Sequence, residues 1–263
     1  MSPFETLLLD IDARGVARLT LNRPDSRNAM SQELIGELTA ATRQLAEDEK
    51  VRVVVLTGAG DVFCAGGDLK MMQRQAAGTR DTRVADAREL AQMLADLNRL
   101  PKPLIGRING SAFGGGIGLM SICDIAIGLT TAKYSLTEVK LGLIPATISP
   151  YVVARMGVPN ARRAMLNALE MDGAEAARLG LLAAAVATQD LDAAVEREVK
   201  LFLRCAPGAV SRAKKLIEFV SAHDASENLE HTAQQLADCW ESAEIQEGIA
   251  AFLSKRKPAW QVE

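Results

Sequence analysis

The run Val51-Arg52-Val53-Val54-Val55-Leu56-Thr57 most narrows what this chain can fold into. Its β-branched residues follow one another without the polar alternation of a half-exposed strand, the pattern of a strand buried inside a sheet. A buried strand needs neighbours, and the sequence supplies them. Residues 6–12 (TLLLDID) and 16–21 (VARLTL) read as strands separated by the turn Ala13-Arg14-Gly15. Residues 104–108 and 124–129 read as two more, and Tyr134-Ser135-Leu136 as a short extended piece. Helical patterns lie between them. Ser31 is placed as the N-cap of an amphipathic helix over 32–47, with Leu34, Ile35, Leu38 and Leu45 on its buried side. Residues 82–99 read as another helix. From about Ile148 onward the reading is helix alone, punctuated near Gly157-Val158-Pro159, Gly180 and Pro207-Gly208. Strand–helix alternation followed by helices predicts an α/β core with a helical C-terminal part. The division is drawn as 1–200 for the core and 201–263 for the C-terminal helical region. No sequence repeat is evident.

Two glycine-rich junctions between strand and helix are the first candidates for chemistry: Ala65-Gly66-Gly67-Asp68 and Gly114-Gly115-Gly116. Without Cβ atoms a backbone can approach a ligand closely. The first N–H groups of a helix have no intrahelical partner and can bind an anion or a developing oxyanion. Neither cluster has the G-x-G-x-x-G spacing of a dinucleotide site, and no P-loop Gly-Lys-Ser/Thr occurs. A tight turn packed for steric reasons is the plainer explanation of either cluster taken alone. Glu138 is the third candidate. It stands in the mostly apolar stretch Leu136-Thr137-Glu138-Val139-Lys140-Leu141-Gly142-Leu143-Ile144-Pro145, where partial burial would raise its pKa and suit it to proton transfer. The alternative is a surface glutamate paired with Lys140 or another base.

The composition removes other classes. A net charge of -3 over 263 residues gives no general attraction to nucleic acid or anionic membranes. The aromatic content is 4%, and no basic–aromatic stripe suited to base stacking occurs. No apolar stretch is long enough to span a bilayer, and the N-terminus lacks a secretory or organelle-targeting pattern. Cys64, Cys123, Cys205 and Cys239 lie far apart with no C-x-x-C spacing, so no metal is expected and a reduced, cytoplasmic chain is the simplest expectation. Cys64 reads as a small core residue. His223 and His231 read as solvent-facing or interfacial rather than catalytic.

Taken together, several segments resemble the enoyl-CoA hydratase/isomerase (crotonase) family over nearly the whole chain. They are Leu21-Asn22-Arg23-Pro24 with Arg27-Asn28-Ala29, residues 54–58 (VVLTG), Phe63 to Leu69, Asn109 to Gly116, Cys123-Asp124-Ile125, Glu138 to Pro145, and Gly248 to Arg256. The resemblance implies a spiral of ββα units with a helical C-terminal trimerisation region, and hence a homotrimer or a dimer of trimers. It implies an acyl-CoA thioester substrate and no separate cofactor, coenzyme A being part of the substrate. It also implies an oxyanion hole formed by the N–H groups of Gly67 and Gly115. Glu138 would be the acid/base. CoA and acyl contacts would come from Ala65, Gly67, Asp68, Leu69, Lys70, Gly115 and Gly118, with Phe252 and Lys255 reaching CoA, either that of the same chain or that of a neighbouring subunit. One departure stands out. Classical hydratases of the family hold the attacking water with two glutamates, and the place of the first is taken here by Gly118. This is expected to open room for a branched acyl group. Residues 142–152 and 113–118 look like those of the bacterial methylglutaconyl-CoA and isohexenylglutaconyl-CoA hydratases of leucine and acyclic-terpene catabolism. The resemblance leaves open a 3-enoyl to 2-enoyl-CoA isomerase with a single glutamate, a non-catalytic relative, and an RNA-binding relative.

Overall fold

The computed structural model describes residues 4–262. The buried run becomes strand β3 (Val53–Gly58), in which every residue is buried. It lies inside a six-stranded sheet with β1 (Leu7–Ile11), β2 (Val16–Leu21), β5 (Leu104–Ile108), β7 (Ile125–Leu129) and β9 (Ala184–Val186), in the order β1-β2-β3-β5-β7-β9. Only the hairpin β1–β2 is antiparallel, with Leu7 opposite Leu21; the other pairs are parallel. Parallel strands need crossovers, and the crossovers here share one plan. After β3, β5 and β7 the chain first adds a short strand to a second sheet: β4 (Val62–Cys64), β6 (Ser111–Phe113) and β8 (Tyr134–Ser135), all parallel, in the order β4-β6-β8. It then turns into helix. The repeat is therefore one of backbone path. Strands of two or three residues carry no hydrophobic period, which is why the sequence shows no repeat and gives no strand signal at β4, β6 or β9, the last lying in a stretch that reads as helix alone.

Helix α1 (Gln32–Glu47) starts at Ser31, whose side chain accepts from Leu34 N as read from the sequence. Helices α2 (Leu69–Ala77) and α3 (Arg80–Asn98) follow β4, and α4 (Gly115–Ser121) follows β6. Helix α5 (Ser149–Met165) is broken at Gly157, φ 72°, where the sequence is punctuated. After α6 (Gly173–Arg178) and β9, helix α7 (Leu191–Leu203) packs on β3, β5 and β7. Helix α7 thus belongs to the core and runs past the boundary drawn at 200/201. Helices α8 (Pro207–Ala222), α9 (Ala225–Trp240) and α10 (Ala243–Leu253) form the C-terminal region. Among the described residues no helix is long and apolar enough to cross a membrane.

Candidate active site

Construction begins at Asn28, which is fully buried with φ 55°. Its side-chain amide donates to the carbonyls of Ala59 and Val62, each at 2.8 Å, and its Oδ1 accepts from Arg23 N. This fastens residues 23–30 to the β3–β4 turn. The same segment then grips the first glycine loop residue by residue. Ala65 N donates to Arg27 O at 2.9 Å, Met30 N to Gly66 O at 2.7 Å, and Asp68 N to Met30 O at 3.1 Å. Gly67 lies between these bonds, and its N–H meets no acceptor among the described residues.

The second loop is held in the same manner. Gly114, φ 49°, donates its N–H to Ser135 O at 3.0 Å, and its carbonyl accepts from Ile117 N and Gly118 N. Gly115 opens α4, and its N–H likewise meets no acceptor among the described residues. The two loops touch at Gly66. A Cβ there would stand 2.9 Å from Phe113 O and 3.7 Å from Gly115 N, and φ is 94°. Only glycine allows so close an approach in that conformation. Two outward N–H groups are thereby presented on adjoining loops, the arrangement that can stabilise a developing oxyanion.

Glu138 begins a short 3-10 turn, Glu138–Leu141, that ends at Gly142 in a left-handed conformation. Its carboxylate lies against Gly114: a Cβ on that glycine would be 3.2 Å from Oε1 and 3.9 Å from Oε2. Oε2 is buried and has no hydrogen-bond partner among the described residues. Burial raises the pKa of this carboxyl, and a hydrogen bond to its own backbone N–H offsets the rise only in part. It is half-buried and makes no ion pair with Lys140 or another base among the described residues, so the surface-glutamate alternative fails. A half-buried carboxyl with an open oxygen can take and return a proton.

The remaining candidates divide. Ala65 is half-buried on the first loop, and Leu69 and Lys70 are exposed at the start of α2. Asp68 has another duty: Oδ2 pairs with Arg23 at 2.9 Å, and Oδ1 accepts from Lys70 N and Met71 N as the N-cap of α2. Gly118 does not open room. It is buried in α4, and a Cβ there would fall 2.3 Å from Cγ2 of Ile148, so Ile148 fills the space that the missing side chain was expected to leave. Phe252 and Lys255 lie at the end of α10. The adjoining C-terminal segment is tied to the start of β3 by Arg52, which donates to Trp260 O, whereas the glycine loops follow the far ends of β4 and β6. Cys64 is fully buried, its thiol pushed up to about 12 by burial, and it is no nucleophile. His223 and His231 both stack on Phe219 in the C-terminal helices, with ring centroids at 3.8 and 3.6 Å. Among the described residues no cluster of metal-ligating side chains occurs.

Three residues of this site carry no assigned role in the sequence. Arg23 clamps the first loop through Asp68 and the Ala29 carbonyl. The side chain of Met30 covers Gly115, where a Cβ would fall 1.9 Å from its Cε. Ile148 seats on Gly118. Arg23 stands in one of the quoted segments and could have been paired with an N-capping Asp68. Nothing in the sequence announces Met30 or Ile148.

A family model described as enoyl-CoA hydratase/isomerase matches residues 12–263. Enoyl-CoA hydratase ACTT6 of Alternaria alternata is 35% identical over 255 residues, 94% of this chain and 82% of that protein. A probable enoyl-CoA hydratase, echA8, of Mycobacterium bovis is 31% identical over 259 residues, 97% of each. Among solved structures, an enoyl-CoA hydratase from Shewanella pealeana superposes with a TM-score of 0.94 at 37% identity, covering 98% of this chain and 97% of that one. Pseudomonas aeruginosa AtuE gives 0.93 at 40% identity, covering 98% and 100%. The chain belongs to the enoyl-CoA hydratase/isomerase family. It is an enzyme of the crotonase fold, and the spiral of paired strands and helices described above is that fold.

Proposed function

We propose that this enzyme adds water across the double bond of a 2-enoyl-CoA thioester, with Gly67 and Gly115 as the oxyanion hole and Glu138 as the sole carboxylate acid/base. One observation carries the reading: a half-buried carboxyl with one oxygen unpartnered lies beside two adjoining loops whose N–H groups are both open. As water adds at C3, negative charge moves to the thioester oxygen, where the two N–H groups stabilise it. One such donor is typically worth about 3–4 kcal/mol in the transition state. Glu138 takes the proton of the water and returns one to C2, both on one face.

The acyl group we propose is branched and bears its own carboxylate, as in 3-methylglutaconyl-CoA or isohexenylglutaconyl-CoA. Two stretches support this: residues 142–152 and 113–118 resemble those hydratases. With Gly118 in place of a glutamate, no second carboxylate repels an anionic acyl group. The C-terminal helices support assembly as a trimer or dimer of trimers, since Ile217, Leu229, Leu236 and Trp240 are left exposed on a single chain. In such an assembly Phe252 and Lys255 serve the CoA of a neighbouring subunit.

A second reading is favoured by the solitude of Glu138. The four glycines at the start of α4 face Glu138, Met30, Cys64 and Ile148, so one carboxylate alone could move a proton between two carbons, as in a 3-enoyl to 2-enoyl isomerase. A panel of straight, branched and carboxylated enoyl-CoA esters, followed by loss of enoyl-thioester absorbance, separates these cases. Turnover of the branched, carboxylated members supports the proposal. Turnover confined to 3-enoyl esters, with enoyl absorbance gained, replaces it by the isomerase.

A further inference from the structure

The segment that carries Glu138 is poorly fastened along its length. Leu141, Leu143 and Ile144 are 65%, 54% and 73% exposed. Its internal bonds are local: Gly142 N to Val139 O, Leu143 N to Glu138 O, and Ala146 N to Ile144 O. The carboxyl of Glu138 has no partner beyond its own backbone to hold it. Catalysis by a group this free of hydrogen bonds requires that its backbone be located from outside.

At the near end, the segment is located by β8, where Ser135 O accepts the Gly114 N–H. At the far end stands Ile148, only 2% exposed, whose Cγ2 occupies the place a Cβ of Gly118 would need. Gly118 donates its N–H to Gly114 O, so it lies one helical turn, about 6 Å, beyond the glycine on which Glu138 rests. Both side chains therefore bear on α4 within a single turn. A knob of this size in a close-fitting notch has one position, because interiors are packed at crystal density.

We propose that Ile148 is a positioning residue for Glu138: seated in the notch that Gly118 leaves in α4, it pins the far end of the 138–148 segment and so holds the carboxyl over Gly114. The effect on turnover rests on the reading of Glu138 as the acid/base; the mechanical pinning does not. The pair also explains why glycine stands at 118. Any side chain there meets Ile148, so a second carboxylate at this position and an isoleucine at 148 exclude one another.

The test uses the full-length protein in four forms: wild type, Ile148→Ala, Gly118→Ala, and the double variant. Shortening Ile148 should lower kcat by about ten- to a hundredfold with little change in KM. It should also move the acidic limb of the kcat/KM profile downward, as water reaches Glu138. Backbone amides of residues 139–146 should exchange hydrogen faster. Gly118→Ala should show the same defects, because its methyl unseats Ile148. The double variant should recover much of the loss, the new methyl replacing lost volume, so that the effects are non-additive. Ile148→Leu, which keeps the volume but lacks the Cγ2 branch that fills the notch, serves if Ile148→Ala fails to fold, with an intermediate effect expected. Wild-type turnover, pH profile and exchange in Ile148→Ala or Ile148→Leu would overturn the proposal, as would strict additivity in the double variant. If wild type turns over no enoyl-CoA, the functional reading falls, and the exchange of residues 139–146 alone decides the pinning.

Discussion

At the scale of single residues, Glu138 concentrates the account. Burial lifts its pKa above that of a free glutamate, so the folded protein favours the protonated form, and ionisation costs stability as pH rises through the folded value. Glu138→Gln cannot ionise. It should therefore unfold at a higher temperature than wild type at neutral pH, and the gap should close below about pH 4, where the wild-type group is protonated folded or unfolded. Thermal scans across pH check this. The same substitution removes the proton acceptor and should lower kcat by a factor on the order of 10²–10⁴ while CoA binding survives. A gain in stability together with a loss of turnover is the mark of a carboxyl kept for chemistry. The wild-type kcat/KM should fall with acid through a midpoint above the ordinary glutamate range of about 4.3.

At the scale of elements, the first glycine loop depends on the Arg23–Asp68 clamp. Burial pushes the Asp68 pKa up, but Arg23 and the N–H groups of Met71 and Lys70 outweigh it, and the net shift is downward. Its stabilisation is thus present above the unfolded pKa and lost as pH falls through the lower folded value. Asp68→Ala removes an N-cap and an ion-pair partner together. It should cost about 1–2 kcal/mol near neutral pH, less in acid once the wild-type carboxyl is protonated, and lower kcat by loosening the Gly67 N–H. Chemical denaturation at two pH values, with parallel kinetics, checks both parts. This scale also shows where the sequence is legible. β3, α1 with its Ser31 cap, the break at Gly157 and the glycine loops can all be read from apolar runs, capping residues and glycines, because those signals are local. The short strands β4, β6 and β9 cannot, since two or three residues hold no period. Nor can the Ile148 seat on Gly118: it is a contact between residues thirty apart in the chain, and the bare sequence shows only a missing side chain, which invites the opposite reading of open space.

At the scale of the whole molecule, the C-terminal helices leave Leu229, Trp240, Phe252 and Leu253 exposed, more apolar surface than one chain covers. Light scattering at micromolar concentration should return three or six chains per particle; a monomer would count against the assembly. CoA should raise the melting temperature, as any ligand that binds only the native state does, and Lys255→Ala should weaken that rise without changing the unliganded value. Hydration by Glu138 is the activity proposed for this enzyme. It is tested most directly by turning over a branched, carboxylated 2-enoyl-CoA in water enriched in oxygen-18 and weighing the product. Wild type should place one labelled oxygen in the acyl chain, and Glu138→Gln should place almost none in the same time. A product isomerised without label, or a Glu138→Gln variant that incorporates label at the wild-type rate, would contradict hydration by Glu138.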